Sequence, residues 1–170
     1  MDISIIIKRK YIEMIPREYR DLCLNIGCGY LRFRDLCRTE IGLDIELRDV
    51  DVLGDAHRLP FRDNVFGTVI AYDIIEHSTY YGLILDEAYR VLRNNGYLVL
   101  STIWIMGYAV HTDRQHVHCF TEELLRRALE RHGFKVLRIE RYSPQRDNII
   151  VLSRKAQPLT FSYTPDQSTR

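Results

Sequence analysis

The sequence predicts an α/β protein: a doubly wound sheet, mostly parallel, that ends in an antiparallel C-terminal hairpin strand. Three observations carry this prediction. Short apolar, β-branched runs alternate with segments of helical periodicity along most of the chain. The first such run leads straight into two glycines at "LNIGCG". The last two runs, "KVLRIERY" and "NIIVLSRK", follow one another with only "SPQRD" between them, the pattern of a hairpin.

The elements follow in order. "YIEMIPREYRD" reads as a short leading helix, broken near Pro16, and "LCLNIG" as a buried strand. A two-turn helix is expected over "RFRDLCR", then strands at "IGLDIE" and "VDVLGDA". "TVIAYDI" suits a central strand covered on both faces. "YGLILDEAYRVLRNNG" places Leu83, Leu85, Ala88, Val91 and Leu92 on one helical face, with Gly96 as its stop. "YLVLSTIW" is the next strand, with Trp104 as an anchor at its end. "TEELLRRALERHGF" is a helix with Thr121 as N-cap, glutamates in its first turn and Gly133 at its end.

A chain of 170 residues fits one domain, expected over 1–155, with 156–170 as an extended tail rich in Pro, Ser and Thr. The net charge of +1 gives no electrostatic case for nucleic acid or an anionic membrane as partner. Cys23, Cys28, Cys37 and Cys119 form no CxxC pair and read as reduced thiols. "MDISIIIKRK" has too short an apolar run for a signal peptide, and no stretch approaches a membrane span. The expected setting is cytoplasmic.

The glycine loop narrows the ligand. Gly27-Cys28-Gly29 is followed by Tyr30, Leu31 and Arg32, so the third glycine of the dinucleotide fingerprint is missing. No GxxxxGK[ST] phosphate loop occurs either. An adenosine-bearing cofactor without phosphates explains more. Gly27 and Gly29 permit close backbone approach, Asp44 at the next strand end suits a ribose diol, and Asp55 suits the adenine amine, with Ala56 and His57 near the ring.

Together these segments resemble the class I S-adenosylmethionine-dependent methyltransferases, most closely their type 11 group. The likeness runs from Leu22 to Ile139, through "LNIGCG", "GLDI", "GDAHRLPF", "FGTVIAYDIIEH", "EAYRVLRNNGYLVLST" and "DRQHVHCFTEELLRRALERHGF". It implies a Rossmann-like sheet and S-adenosylmethionine as cofactor. Asn25, Gly27, Cys28, Gly29, Asp44, Ile45, Asp55, Ala56, His57 and Tyr72 are the cofactor residues it implies. Two positions depart from the family: Leu31 stands where a third glycine is usual, and Asn25 where an acid is. Both bear on cofactor affinity more than on fold.

Methyl transfer from a sulfonium needs alignment first and a base only for an acceptor with a high pKa. The acceptor side is expected beyond the fourth and fifth strands, with Asp73, His77 and His116 as catalytic candidates. His116 matches a histidine of the family's D-x-x-H-V pattern and ranks first; His111 and His118 read as surface residues. Asp73, Glu76 and His77 have D-x-x-E-H spacing, and some methyltransferases hold a divalent cation on E-x-x-E-H with a downstream histidine. The same "EH" occurs in type 11 domains without metal, where it positions the next helix, so no metal is assigned. A small-molecule acceptor is the leading expectation. The rivals are a non-catalytic methyltransferase-like binding or activator subunit, and an RNA or protein methyltransferase. With no inserted lid, the pocket is open or is closed by a second copy or a partner protein.

Overall fold

The computed structural model describes residues 2–106, 114–142 and 147–156. A seven-stranded sheet organises them: β1 (Leu22–Ile26), β2 (Thr39–Asp44), β3 (Val52–Leu53), β4 (Phe66–Tyr72), β5 (Leu92–Ile103), β6 (Phe134–Tyr142) and β7 (Asn148–Lys155). The order across the sheet is β3-β2-β1-β4-β5-β7-β6. β3 through β5 pair in parallel, and β7 runs antiparallel to both β5 and β6. This is the doubly wound, Rossmann-like α/β sheet that the sequence predicts. β4 is buried at every position, as expected of an apolar central strand with both faces covered.

The covering layers come from amphipathic helices. α2 (Tyr81–Val91) buries Ile84, Leu85, Ala88 and Val91, and α3 (Glu122–Arg131) buries Leu125 and Leu129. Ile84 thus takes the core place expected for Leu83, which is exposed. Thr121 caps α3 by accepting the Leu124 N–H at 3.1 Å. On the other sheet face α1 (Ile3–Glu13) lays Tyr11 and Ile12 against Ile70, Val99, Ile150 and Leu152.

Several expectations are corrected. The leading helix starts at Ile3, well before "YIEM", because Asp2 caps it by accepting the Ser4 N–H at 2.8 Å. Pro16 does mark a break, after which only a 3₁₀ turn, Arg17–Tyr19, forms. α2 stops at Val91 and β5 begins at once. Asn95, with φ +62°, and Gly96 make an irregularity inside that strand, and Arg93 reaches back to Asp21 at 3.0 Å. β3 is only two residues long, because the Asp51 carboxylate takes the Gly42 N–H at 2.7 Å in place of a ladder bond.

No helix forms over "RFRDLCR". Glu40, buried on β2, pulls the segment flat by accepting from Phe33 N at 2.6 Å, Arg32 Nε at 3.1 Å and Asn25 Nδ2 at 2.8 Å. Cys37 is bonded to Cys23 on β1 as a disulfide, so these two are not the thiols expected. Cys28 and Cys119 remain thiols. "SPQRD" lies outside the described residues apart from Asp147, and the expected tail apart from Ala156.

Candidate active site

The strand order reverses between β1 and β4, and in such sheets ligands bind beyond the carboxyl ends of the strands at that point. A cleft of about 540 Å³ opens there. Gly27, leaving β1, lines it with φ +64°, and a Cβ at this position would meet Ile74 Cδ1 at 2.8 Å. Backbone and Ile74 thus meet in a space only glycine leaves open.

Asp44, at the end of β2, lines the same cleft. Its carboxylate is oriented by two backbone donors, Gly29 N at 2.9 Å and Glu46 N at 3.0 Å. Asp55 follows β3; its Oδ1 accepts the His57 N–H at 2.9 Å and lies 2.6 Å from His57 Nδ1. The His57 backbone N–H, then its ring, hold the Asp55 carboxyl below the usual carboxylate range. His57 Nε2 is 2.6 Å from Ser78 Oγ, which ties this loop to the segment after β4. Leu43, Ala56 and Ile84 give the cleft apolar walls.

The other end of the cleft begins at Asp73, a non-glycine residue with φ +53°. A left-handed aspartate at a strand end persists only when its surroundings fix it. Here Ser101 Oγ donates to Oδ1 at 2.6 Å, Asp73 N donates to Ser101 O at 3.0 Å, and Lys8 from α1 pairs with Oδ2. The 3₁₀ turn Ile75–His77 then points Glu76 inward, 1% exposed, and leaves His77 on the cleft wall. Glu76 Oε2 accepts from Thr102 Oγ1 at 3.0 Å. Burial, and then the charge of Asp73, push the Glu76 carboxyl up to about 8. The His116 ring lies against that of His77, centroids 4.8 Å apart.

The cleft therefore gathers Gly27, Asp44, Ile45, Asp55, Ala56, His57, Asp73 and His77 from the predicted set. It does not gather Asn25, Cys28, Gly29 or Tyr72 on its wall. Asn25 is 2% exposed and spends both amide hydrogens on Leu31 O and Glu40, each at 2.8 Å. Cys28 is buried, which pushes its thiol up to about 11. Gly29 acts through its N–H on Asp44. The Tyr72 ring turns to the α1 face and its hydroxyl donates to Lys8 O at 2.8 Å. His116 packs against His77 but is not on the wall, while Gln115 from the same loop reaches it. His118 donates to Thr79 O at 3.3 Å, and His111 lies outside the described residues. Glu76 and His77 do not cap α2, whose N-cap, Tyr80, makes no side-chain capping bond.

Sequence reasoning missed Lys8, Ser78, Ser101 and Gln115. Lys8 stands 65 positions from Asp73, and no local pattern links them. Ser78 alone offered a signal, one residue beyond "EH".

Comparison with known proteins bears on the fold that carries this cleft. Residues 24–100 match the family model of a methyltransferase domain. A stretch of 92 residues is 32% identical to an uncharacterized protein of Methanocaldococcus jannaschii, covering 48% of this chain and 40% of that protein. The match thus spans well under two thirds of that relative's length. A methyltransferase from Archaeoglobus fulgidus, described as dependent on S-adenosylmethionine, superposes with a TM-score of 0.71 and 20% identity, over 89% of this chain and 93% of its own. The Burkholderia thailandensis 1,6-didemethyltoxoflavin-N1-methyltransferase, solved with its substrate and S-adenosylhomocysteine, gives 0.72 and 17%, over 88% and 78%. No described helix is long and apolar enough to cross a membrane. The matched segment, residues 24–100, is thus similar to a methyltransferase domain, and the sheet that carries it shares the fold of these solved methyltransferases.

Proposed function

We propose that the chain is an S-adenosylmethionine-dependent methyltransferase acting on a small-molecule acceptor. One observation carries the reading: Gly27, Asp44 and Asp55 converge on a single cleft whose far end presents Asp73 and His77. At about 540 Å³ the cleft lies within the usual span of ligand sites, about 300–1,000 Å³. The residues present fit the cofactor. Asp44 is a pre-oriented acceptor for a ribose diol, and Asp55 with His57 provides the polar edge an adenine needs. Gly27 gives close backbone approach, and Leu43, Ala56 and Ile84 are apolar cover. When bound, the cofactor supplies an electrophilic sulfonium methyl whose leaving group is already in place.

The chain's own work is then to align and to exclude water, and alignment contributes up to about 7–11 kcal/mol of barrier reduction. Asp73, held by Ser101 and Lys8, fixes the backbone turn where the two halves of the cleft meet. His77, with His116 packed against it, forms the polar face toward the acceptor. The bound substrate of the Burkholderia neighbour supports a small acceptor in a site of this kind.

Calorimetry with S-adenosylhomocysteine tests the cofactor half. A panel of small O- and N-nucleophiles, with S-adenosylhomocysteine release read by mass spectrometry, tests the acceptor half. Saturable one-to-one binding and release with at least one panel member are expected. Absence of binding overturns the reading, and turnover on RNA or protein alone overturns the acceptor class.

A further inference from the structure

We propose that Glu76, His77 and His116 bind a divalent transition-metal ion of the Zn²⁺ type at the acceptor end of the cleft. The three donor atoms, one carboxylate oxygen and two imidazole nitrogens, all lie within 4.8 Å of one another. They are brought together by backbone rather than by spacing alone. The Ile75–His77 turn carries two of them, Glu76 buried and His77 exposed. The Glu76 carbonyl accepts both Val117 N at 2.8 Å and His118 N at 3.2 Å, which clamps the His116 segment over that turn.

Ligand chemistry agrees with the placement. Two imidazoles and one carboxylate suit Zn²⁺ or Fe²⁺ better than Mg²⁺ or Ca²⁺, which prefer all-oxygen shells. Donors around a tetrahedral Zn²⁺ stand roughly 3.3 Å apart, from metal–ligand distances of about 2.0–2.1 Å. Rotamer adjustments of about one ångström at the two rings therefore close the set, and His77 is exposed enough to make its share. Glu76 is 1% exposed, and its Oε2 accepts from Thr102 Oγ1 at 3.0 Å. A cation at ligand distance would offset the cost of ionising so buried a carboxyl. Asp73 itself is excluded as a ligand because both its oxygens are engaged. The D-x-x-E-H spacing thus supplies two ligands, and the third comes from the loop after β5.

His77 also lines the cleft, so an ion held there turns its open positions toward the acceptor. This role, and only the role, rests on the methyl-transfer reading: the ion would bind an acceptor oxygen and lower the pKa of its O–H. The imidazoles then serve as ligands and not as bases.

The test uses the full chain stripped with a chelator and titrated with Zn²⁺ and, for its visible spectrum, Co²⁺. One equivalent should bind, with d–d bands and no thiolate charge-transfer band. His77→Ala and His116→Ala should each weaken binding by at least the roughly 10–100-fold that loss of even an outer-shell partner costs. Cys119→Ser should change nothing. Glu76→Gln keeps an acceptor for Thr102 and serves as a third variant, and unchanged melting without metal certifies each fold. No stoichiometric binding, or binding that survives in both histidine variants, overturns the proposal. Metal binding in a chain that fails to bind S-adenosylhomocysteine would leave the metal site standing and sink the cofactor reading.

Discussion

Asp44 has more than one task. Its oxygens already hold the Gly29 and Glu46 N–H groups, so it organises the loop and the cleft together. If it also accepts the ribose hydroxyls, Asp44→Ala should weaken S-adenosylhomocysteine binding by about 1.5–3 kcal/mol, roughly 10–150-fold by calorimetry. Unchanged affinity would remove Asp44 from the site. The two loop glycines divide their duties differently than spacing suggests. Gly27 is both left-handed and crowded, its Cβ position 2.8 Å from Ile74; Gly29 has φ +50°, but a Cβ there would meet only Arg48 Nη1, at 3.8 Å. Both alanine variants carry the about 1–2 kcal/mol strain of a left-handed residue. Gly27→Ala should in addition disturb the cleft wall and show the larger loss of affinity. The reverse order would mean that the cofactor runs along Gly29. Leu31, which stands where the family's third glycine is usual, packs into the core beneath α1, and its carbonyl holds Asn25. It is part of a differently built loop.

At the scale of elements, α2 and the loop after β3 are joined through Glu87 and Arg90. Glu87 accepts the Leu59 N–H at 2.7 Å, and Arg90 bridges from Glu87 to Phe61 O and Asp63, each at 2.7 Å. The loop that carries Asp55 is thereby fixed to a helix. Arg90, then the Leu59 N–H, hold the Glu87 carboxyl below its usual value of 4.5 against the opposing effect of burial. A lowered carboxyl stabilises the fold above that usual value and loses its contribution as pH falls through the folded one. Glu87→Gln, which keeps the Leu59 acceptor, should therefore cost about 1 kcal/mol near pH 7, the difference between a charged and a neutral hydrogen bond. The gap between the melting curves of the two proteins should close as pH falls through the lowered carboxyl's range, and a pH-independent gap would assign the effect to packing. β4, β7 and the C-terminal part of β5 were legible because they are apolar and bounded by turn residues. The segment over Arg32–Arg38 was not, since its periodicity is helical and the buried Glu40 that overrides it lies outside it. Asp44, Asp55 and His77 could be read from strand ends; Asn25 could not, since its side chain answers to Glu40 and not to the cleft.

Over the whole molecule, the sheet is sandwiched between two unequal layers. α2 and α3 cover one face, and α1 with the Phe33–Cys37 segment covers the other. α1 does more than cover. Its Lys8 passes under the sheet end to pair with Asp73, and its carbonyl takes the Tyr72 hydroxyl at 2.8 Å. Burial opposes the Lys8 charge, but Asp73 and Tyr142 outweigh it and hold the ammonium above the usual lysine value. The N-terminal helix is thus fastened to the residue where the two ends of the cleft meet. Asp73 is 38% exposed, so the pair is partly screened and worth less than a fully buried one. A double-mutant cycle of Lys8→Ala and Asp73→Ala should give a coupling of about 0.5–3 kcal/mol in unfolding free energy. Lys8→Ala alone should lower the melting temperature yet leave S-adenosylhomocysteine affinity within a few-fold, because Ser101 still holds Asp73. A coupling near zero would mean that apolar packing and the Tyr72 bond hold α1 without help from the ion pair. A collapse of affinity with intact melting would instead mean that Lys8 shapes the cleft directly.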